Sequence, residues 1–259
     1  ITQTTAEDAL VIAGSDVVVD RSTVAHTGTG TAVFLNGASN VVFRDVAVDH
    51  LGSGYLLNIV DGSGLIDMKE ASFYADGGRG ARIHEGTAEI LIGQLSILNG
   101  SDVGLHLIDN NGSLTVYQGD VSILSGTYGL HAHGGSPDIQ LLNTTLNVSS
   151  GFAAIDMDVD GGSLLLVGGS GVIATNLGPL EPAVNIDANF SPFLLDIDSI
   201  DADGFLNVGI VIREQGAGSQ ATIGELIVRH GAGGAVIVDS LGTTSFGKLD
   251  LKVDAGDGL

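Results

Sequence analysis

The chain has 259 residues, 44% of them apolar and 5% aromatic, with 40 Gly and neither Cys nor Trp; it can bury a substantial core but can use neither disulfides nor thiol chemistry. Thirty-one acidic residues against nine basic ones give a net charge of −22. That surface excludes nucleic acid and anionic lipid as partners, because phosphate is bound by Lys and Arg that displace its counterions.

Taken in chain order, the sequence opens on "ITQTTAED", without Met, a basic leader or a signal-peptide core, and reads as a mature or excised segment. "VDRSTV" at 19–24 is the first, loose copy of a motif that "FRDVAV" at 43–48 states cleanly: apolar, two turn-like residues, apolar, any residue, apolar. It returns as "MKEASF" (68–73), "IGQLSI" (92–97), the looser "VYQGDVSI" (116–123), "IDSIDA" (197–202), "IGELIV" (223–228) and "FGKLDL" (246–251). Successive clean copies are mostly 23 to 26 residues apart. A second marker runs in phase: "GYLLN" (54–58), "GARIH" (80–84), "GLHLI" (104–108), "GLHAH" (129–133), "GIVIR" (209–213) and "GAVIV" (234–238).

Each unit therefore holds a Gly, a short alternating strand, a turn, a strand, a two-residue bend and a further strand. Alternation with period two puts every other side chain on one face, so the strands are half-buried. Gly93, Gly224 and Gly247 at the bend predict left-handed backbone there. About 25 residues cannot bury their own apolar face, but stacked units close a continuous core of Ile, Leu and Val. Helical repeats would show a 3.6-residue period with few Gly or Val, and leucine-rich repeats need an Asn/Leu consensus that is missing. No apolar run approaches the length that crosses a membrane, so no direct membrane insertion is expected.

The repeat length, the two-residue bend and the apolar ladders resemble the right-handed parallel β-helix family. Pectate-lyase-like enzymes, phage tailspikes and autotransporter passenger domains belong to it. The resemblance covers nearly all of the chain and is architectural, without a family-specific catalytic signature. It implies an all-β fold, a right-handed parallel β-helix (β-solenoid) with coils of about 25 residues, forming one domain over 1–259. Nine to ten coils stacked at roughly 4.8 Å give a rod on the order of 45 Å long. "LGPLEPAVN" at 177–185 holds two of the four prolines and reads as a loop protruding from a longer coil. The end, "DAGDGL", stops in mid-pattern without an amphipathic cap. A segment of a longer protein, or a unit that self-associates by end-to-end stacking, is expected from that.

Alignment on the Gly marker assigns faces. Tyr55, Leu57, Ala81, Ile83, Leu105, Leu107, Leu130, Ala132, Ile155 and Met157 are expected inside. One outward column then reads Leu56, Arg82, His106, His131, Asp156, Asn185, Val211, Val236. The other reads Asn58, His84, Ile108, His133, Asp158, Asp187, Arg213, Val238. Four of the seven histidines (His84, His106, His131 and His133) thus share a patch with Asp156, Asp158 and Asp187. Residues i and i+2 of a strand lie about 6.6 Å apart and neighbouring coils about 4.8 Å. His106, His131 and His133 can therefore converge on a metal, with Asp156 or Asp158 completing the sphere. As an enzyme, the same patch offers Asp156 and Asp158 as an acid/base pair with the spacing of an inverting glycosidase, assisted by His131 or His133.

The plain alternative is a solvated polar ladder, since an exposed strand face needs polar residues and a solenoid repeats what it carries. The predicted columns contain no aromatic platform for a sugar, and only Arg82 stands near for an anionic one. "DVDGGS" (158–163) and "DADG" (201–204) look like pieces of calcium loops without their full ligand spacing, and read as turns with at most loose binding of calcium or another divalent cation. The first expectation is a non-enzymatic extracellular rod, a segment of a bacterial cell-surface or matrix adhesin, touching a host surface, a glycan or its own copies. The alternatives are a polysaccharide-acting hydrolase or lyase and a phage tailspike-like domain. An enzyme would show a cleft at the His/Asp patch; a rod would show the patch fanned into solvent, with no groove and no perturbed carboxylate.

Overall fold

The computed structural model describes residues 1–124, 126–178, 182–205, 208–214, 216–231 and 233–252. Among them every element is a β-strand, and every strand pairing is parallel. The chain winds as a β-solenoid of about ten turns, in coils about 25 residues apart.

Each coil contributes to two stacks of strands. The front sheet is built from short strands, among them Val33–Asn36, Arg79–Gly86, Val103–Asn110, Tyr128–Gly135, Ala153–Val159, Val184–Ala188 and Ile210–Glu214. The second sheet is built from longer strands that bend halfway, such as Ser15–His26, Ser39–His50, Glu89–Gly100, Gly162–Thr175 and Gln220–Arg229. Tyr55–Asp76 runs from the front sheet into the bent sheet without a break.

One column of inward residues threads the whole front sheet: Leu10, Val33, Leu57, Ala81, Leu105, Leu130, Ile155, Val184, Ile210, Val236. Steps along it are 23 to 26 residues, with 29 between Ile155 and Val184. The longer step holds the proline-bearing stretch 177–185, of which residues 179–181 lie outside the described set. Leu105, Leu130 and Ile155 are wholly buried, so the aliphatic column is the core itself, worth about 1.5–3 kcal/mol for each large side chain removed from water.

The two-residue bend works as the motif requires. In Ser39–His50, Val41 and Phe43 point inward, Arg44 and Asp45 both face out, and Val46 and Val48 point inward again. Asp45 takes a left-handed φ of 50°, which slips the alternation by one and keeps both halves on the core. Further left-handed residues turn the chain where it enters and leaves the front sheet, for example Asp109 (φ 47°) and Asn99 (φ 52°). Asn and Asp tolerate this conformation better than other non-Gly residues.

Several sequence expectations need correction. Gly93, Gly224 and Gly247 are not left-handed. A Cβ on Gly93 would come within 2.0 Å of the Lys69 carbonyl oxygen, and one on Gly224 within 2.6 Å of that of Asp198. Close approach of the preceding coil, not backbone freedom, selects glycine at this bend. The face assignment slips by two residues at the second coil: Tyr55 pairs with Arg79 and Leu57 with Ala81. Leu56 is consequently buried, Tyr55 lies at the surface, and Asn58 joins Arg82 and His106 in the first outward column. Val236 faces inward, with Ile237 in its predicted place opposite Val211, and Asp239 rather than Val238 stands opposite Arg213.

The cause is a corner where two consecutive residues point inward. Gly129 and Leu130 are both buried, as are Leu56 and Leu57. A Cβ on Gly104 would lie 2.4 Å from Val121 Cγ1, and one on Gly80 2.3 Å from Ile97 Cδ1. The recurrent marker glycine is thus a notch into which the bent sheet packs.

Candidate functional site

The outer face of the front sheet carries the predicted patch. His131 pairs in register with His106 on one side and Asp156 on the other, and His133 with Ile108 and Asp158. Strand regularity alone aligns these side chains, one above another.

Tyr128, from the same strand, stacks on His131 at 4.5 Å between centroids and 23°; Phe152 meets Tyr128 edge-on at 6.0 Å. The His106 and His131 rings stack at 5.0 Å and 16°, and His131 and His133 at 6.4 Å and 16°. Toward the N-terminus, Arg79 and Arg82 lie over the Tyr55 ring at 5.2 and 5.9 Å, a favourable placement of cation on π-face. Arg79 also pairs with Asp102 at 2.9 Å, and Thr127 Oγ1 donates to the same carboxylate at 3.1 Å. The face therefore has aromatic platforms and a second arginine, which the slipped alignment concealed.

Its acidic end is tied together coil to coil. Asn185 Nδ2 donates to Asp156 Oδ1 at 2.9 Å, and His131 Nε2 lies 3.5 Å from Asp156 Oδ2. Asn189 Nδ2 donates to Asp158 Oδ1 at 2.8 Å. Asp187 faces Arg213 at 4.0 Å. Burial and the neighbouring Asp158 charge push the Asp187 carboxyl above its usual value, against the opposing pull of Arg213.

The imidazoles are held toward neutrality. Burial lowers His106 to about 4, reinforced by the charges of His131, Arg82 and His133 and opposed by Asp102. Burial lowers His131 as well, with Asp156 opposing and His133 reinforcing. Asn58 Oδ1, Arg82 Nε, His106 Nδ1 and Asn185 Oδ1 are all buried in this column without a hydrogen-bond partner. Left unpaired, each such atom costs stability.

Only the first column is packed: the His131 side chain is 24% exposed and that of Asp156 16%, whereas His133 and Asp158 of the second column stand exposed. His106, His131, His133, Asp156 and Asp158 are brought together along one face. Among the described residues, however, no three His, Asp or Glu side chains are grouped to hold a metal ion. Rings stacked face to face send their nitrogens along parallel lines, not toward a common point. "DADG" is not the expected turn but the end of the strand Phe193–Asp203; Asp201 is bound by Arg229 at 2.7 and 2.8 Å and Asp203 by His230 at 2.8 Å, so its carboxylates already have protein partners.

A groove lies elsewhere among the described residues. It occupies about 780 Å³ along the bent sheet, lined by Arg21, Asp45, Lys69, Glu70, Gln94 and Tyr117 among others. Its wall is a bulge: Met68 opposes Ile92 and Ser72 opposes Gln94, so Lys69, Glu70 and Ala71 stand against Gly93 alone, the first two exposed and Ala71 buried. Equal-length motifs at 68–73 and 92–97 hide this slip in the sequence.

Comparison with family models, with curated proteins and with solved structures gives no match. The class is defined by the fold itself, a parallel β-solenoid of about ten coils.

Proposed function

We propose that the chain is a non-enzymatic structural and adhesive rod, a segment of an extracellular bacterial surface or matrix protein of the parallel β-helix, autotransporter passenger-like kind. The patch departs from the solvated fan first expected of a rod, with His131 and Asp156 half-buried and the Asp187 carboxyl raised; the supporting observation is instead the mutual engagement of the front-face residues. Asp156 and Asp158, the best acid/base candidates, each accept an amide N–H from the next coil. These contacts tie neighbouring coils together along the face, as a structural ladder requires. The acidic surface and the absence of Cys suit an extracellular, soluble rod. Tyr55 and Tyr128, beside Arg79 and Arg82, supply flat apolar surface with polar edges, as contact with a glycan or a host surface requires.

The test is co-sedimentation of the full chain with a panel of insoluble polysaccharides and collagen-coated beads, with reducing ends and unsaturated products assayed in the same tubes. Retention without product, weakened several-fold by Tyr128→Ala, supports the reading. Product that disappears in Asp156→Ala would replace it with the polysaccharide-acting enzyme. Retention on none of the surfaces would remove the adhesive role.

A further inference from the structure

His26 and His50 close successive strands of the bent sheet and are register partners. The next positions in their inward column are Ala75 and Ile97, so two imidazoles stand where the fold elsewhere places apolar side chains. Both are wholly buried. Their rings stack at 5.0 Å and 22°.

The nitrogens can be counted. His26 Nε2 lies 3.0 Å from the carbonyl oxygen of Glu7, and His50 Nε2 lies 2.9 Å from that of Gly54. A carbonyl only accepts, so both Nε2 atoms must carry hydrogen. The two Nδ1 atoms face one another at 3.0 Å, a hydrogen-bond distance that needs one hydrogen between them. Three contacts require three ring protons, whereas two neutral imidazoles bring two. Any neutral arrangement leaves one pair of lone pairs pressed together in a fully buried site, where an unmade bond is most costly.

We propose that His26 and His50 form a buried site for one proton, shared between their Nδ1 atoms, and that this proton latches the N-terminal segment to the first coils. The rest of the site is uncharged. Gln3 is the register partner of His26, Ala75 that of His50, and Gly78 packs against the His50 ring. Of the nearest acids, Asp8 accepts the Thr31 N–H at 2.6 Å and Glu7 is exposed. No carboxylate among the described residues pairs with either ring, so the charge is spread over two rings and three hydrogen bonds.

The Glu7 carbonyl belongs to the connection between Thr2–Gln3 of the bent sheet and Leu10–Ile12 of the front sheet, and the latch holds it against the next coil. This stretch lies so close over Gly28 and Gly30 that a Cβ on Gly30 would meet Glu7 backbone at 2.5 Å. A second proton is resisted. Burial, and then the charge on His26, lower His50, against hydrogen bonding to Gly54. The latch itself has the opposite sign: a proton held by the folded pair stabilises below the ordinary histidine value of about 6.5 and is lost as pH rises through the pair's folded value, whereas resistance to a second proton is felt only on acidification. Two cationic rings both donate at Nδ1, and the contact must open.

The direct test needs no substitution. In the full chain with 15N-labelled histidine at pH 7.5, nitrogen–nitrogen coupling across a hydrogen bond is expected between two imidazoles, with three N–H protons on the two rings. Two neutral rings, both with bare Nδ1 and no coupling, would overturn the proposal. In a second measurement, hydrogen exchange at Ala9 and Thr31, whose N–H groups bond across the first two coils, is expected to lose protection as pH is raised from 7.5 to 10 and the shared proton leaves, while the central coils keep theirs. Protection unchanged over that range would overturn the latch.

Discussion

His106 and His131, on neighbouring coils, lie ring upon ring with centroids 5.0 Å apart. Their common burial resists charging, and His106 is lowered to about 4. The folded value lies below the unfolded one of about 6.5. Stability contributed by the neutral ring is therefore present above pH 6.5 and disappears as pH falls through about 4. The melting temperature of the wild type should exceed that of His106→Gln near pH 7, and the gap should narrow on acidification. A gap that widens toward pH 4 would contradict the assignment.

Asp156 raises His131 by its charge and accepts a hydrogen bond from Asn185. Asp156→Ala should cost about 1 kcal/mol in urea unfolding. It should also move the His131 titration, followed by NMR, further down. An upward movement would show that burial at His131 had been misjudged.

Leu130 is wholly buried in the front column, while His133, three residues on, is exposed. Leu130→Ala should destabilise by about 2–5 kcal/mol through lost burial and a residual cavity. His133→Ala should stay within about 0.5 kcal/mol, as surface substitutions do. Comparable urea midpoints for the two variants would refute the face assignment.

At the bend, Gly93 lies directly beneath the Lys69 carbonyl, whereas Gly77 (φ 85°) has no atom near its missing Cβ. Gly93→Ala must displace backbone and should cost about 1–3 kcal/mol, the usual range for overpacking. Gly77→Asn keeps a left-handed-tolerant residue in open space and should cost less. Thermal melts of the two variants decide between close approach and backbone freedom as the reason for Gly93.

The coil length, the bend and the buried column were legible because each is written as a repeated apolar spacing. Arg44 and Asp45 between Phe43 and Val46 announce two consecutive outward residues, and the structure has them. The converse device was not legible. Where Leu56 and Leu57 both turn inward, the later coils carry glycine or alanine followed by an apolar residue, and alignment on glycine misplaces Tyr55 by two. The pattern records polarity, and a notch for Ile97 or Val121 is a matter of volume. The same limit hid the bulge at Lys69–Ala71, because strand register is set between coils and not within one. His26 and His50 were visible as letters, but their meeting depends on a 24-residue offset and on which carbonyls lie opposite their outer nitrogens.

The backbone pairing between coils runs along the rod, so each coil is fastened only to the one before and the one after. A load drawing the two chain ends apart would therefore work like a ripcord. Turns come away in succession from an end, and each releases roughly 80 Å of slack at about 3.3 Å per residue. Such a shaft would lengthen in even increments under tension and dissipate a sudden tug instead of transmitting it.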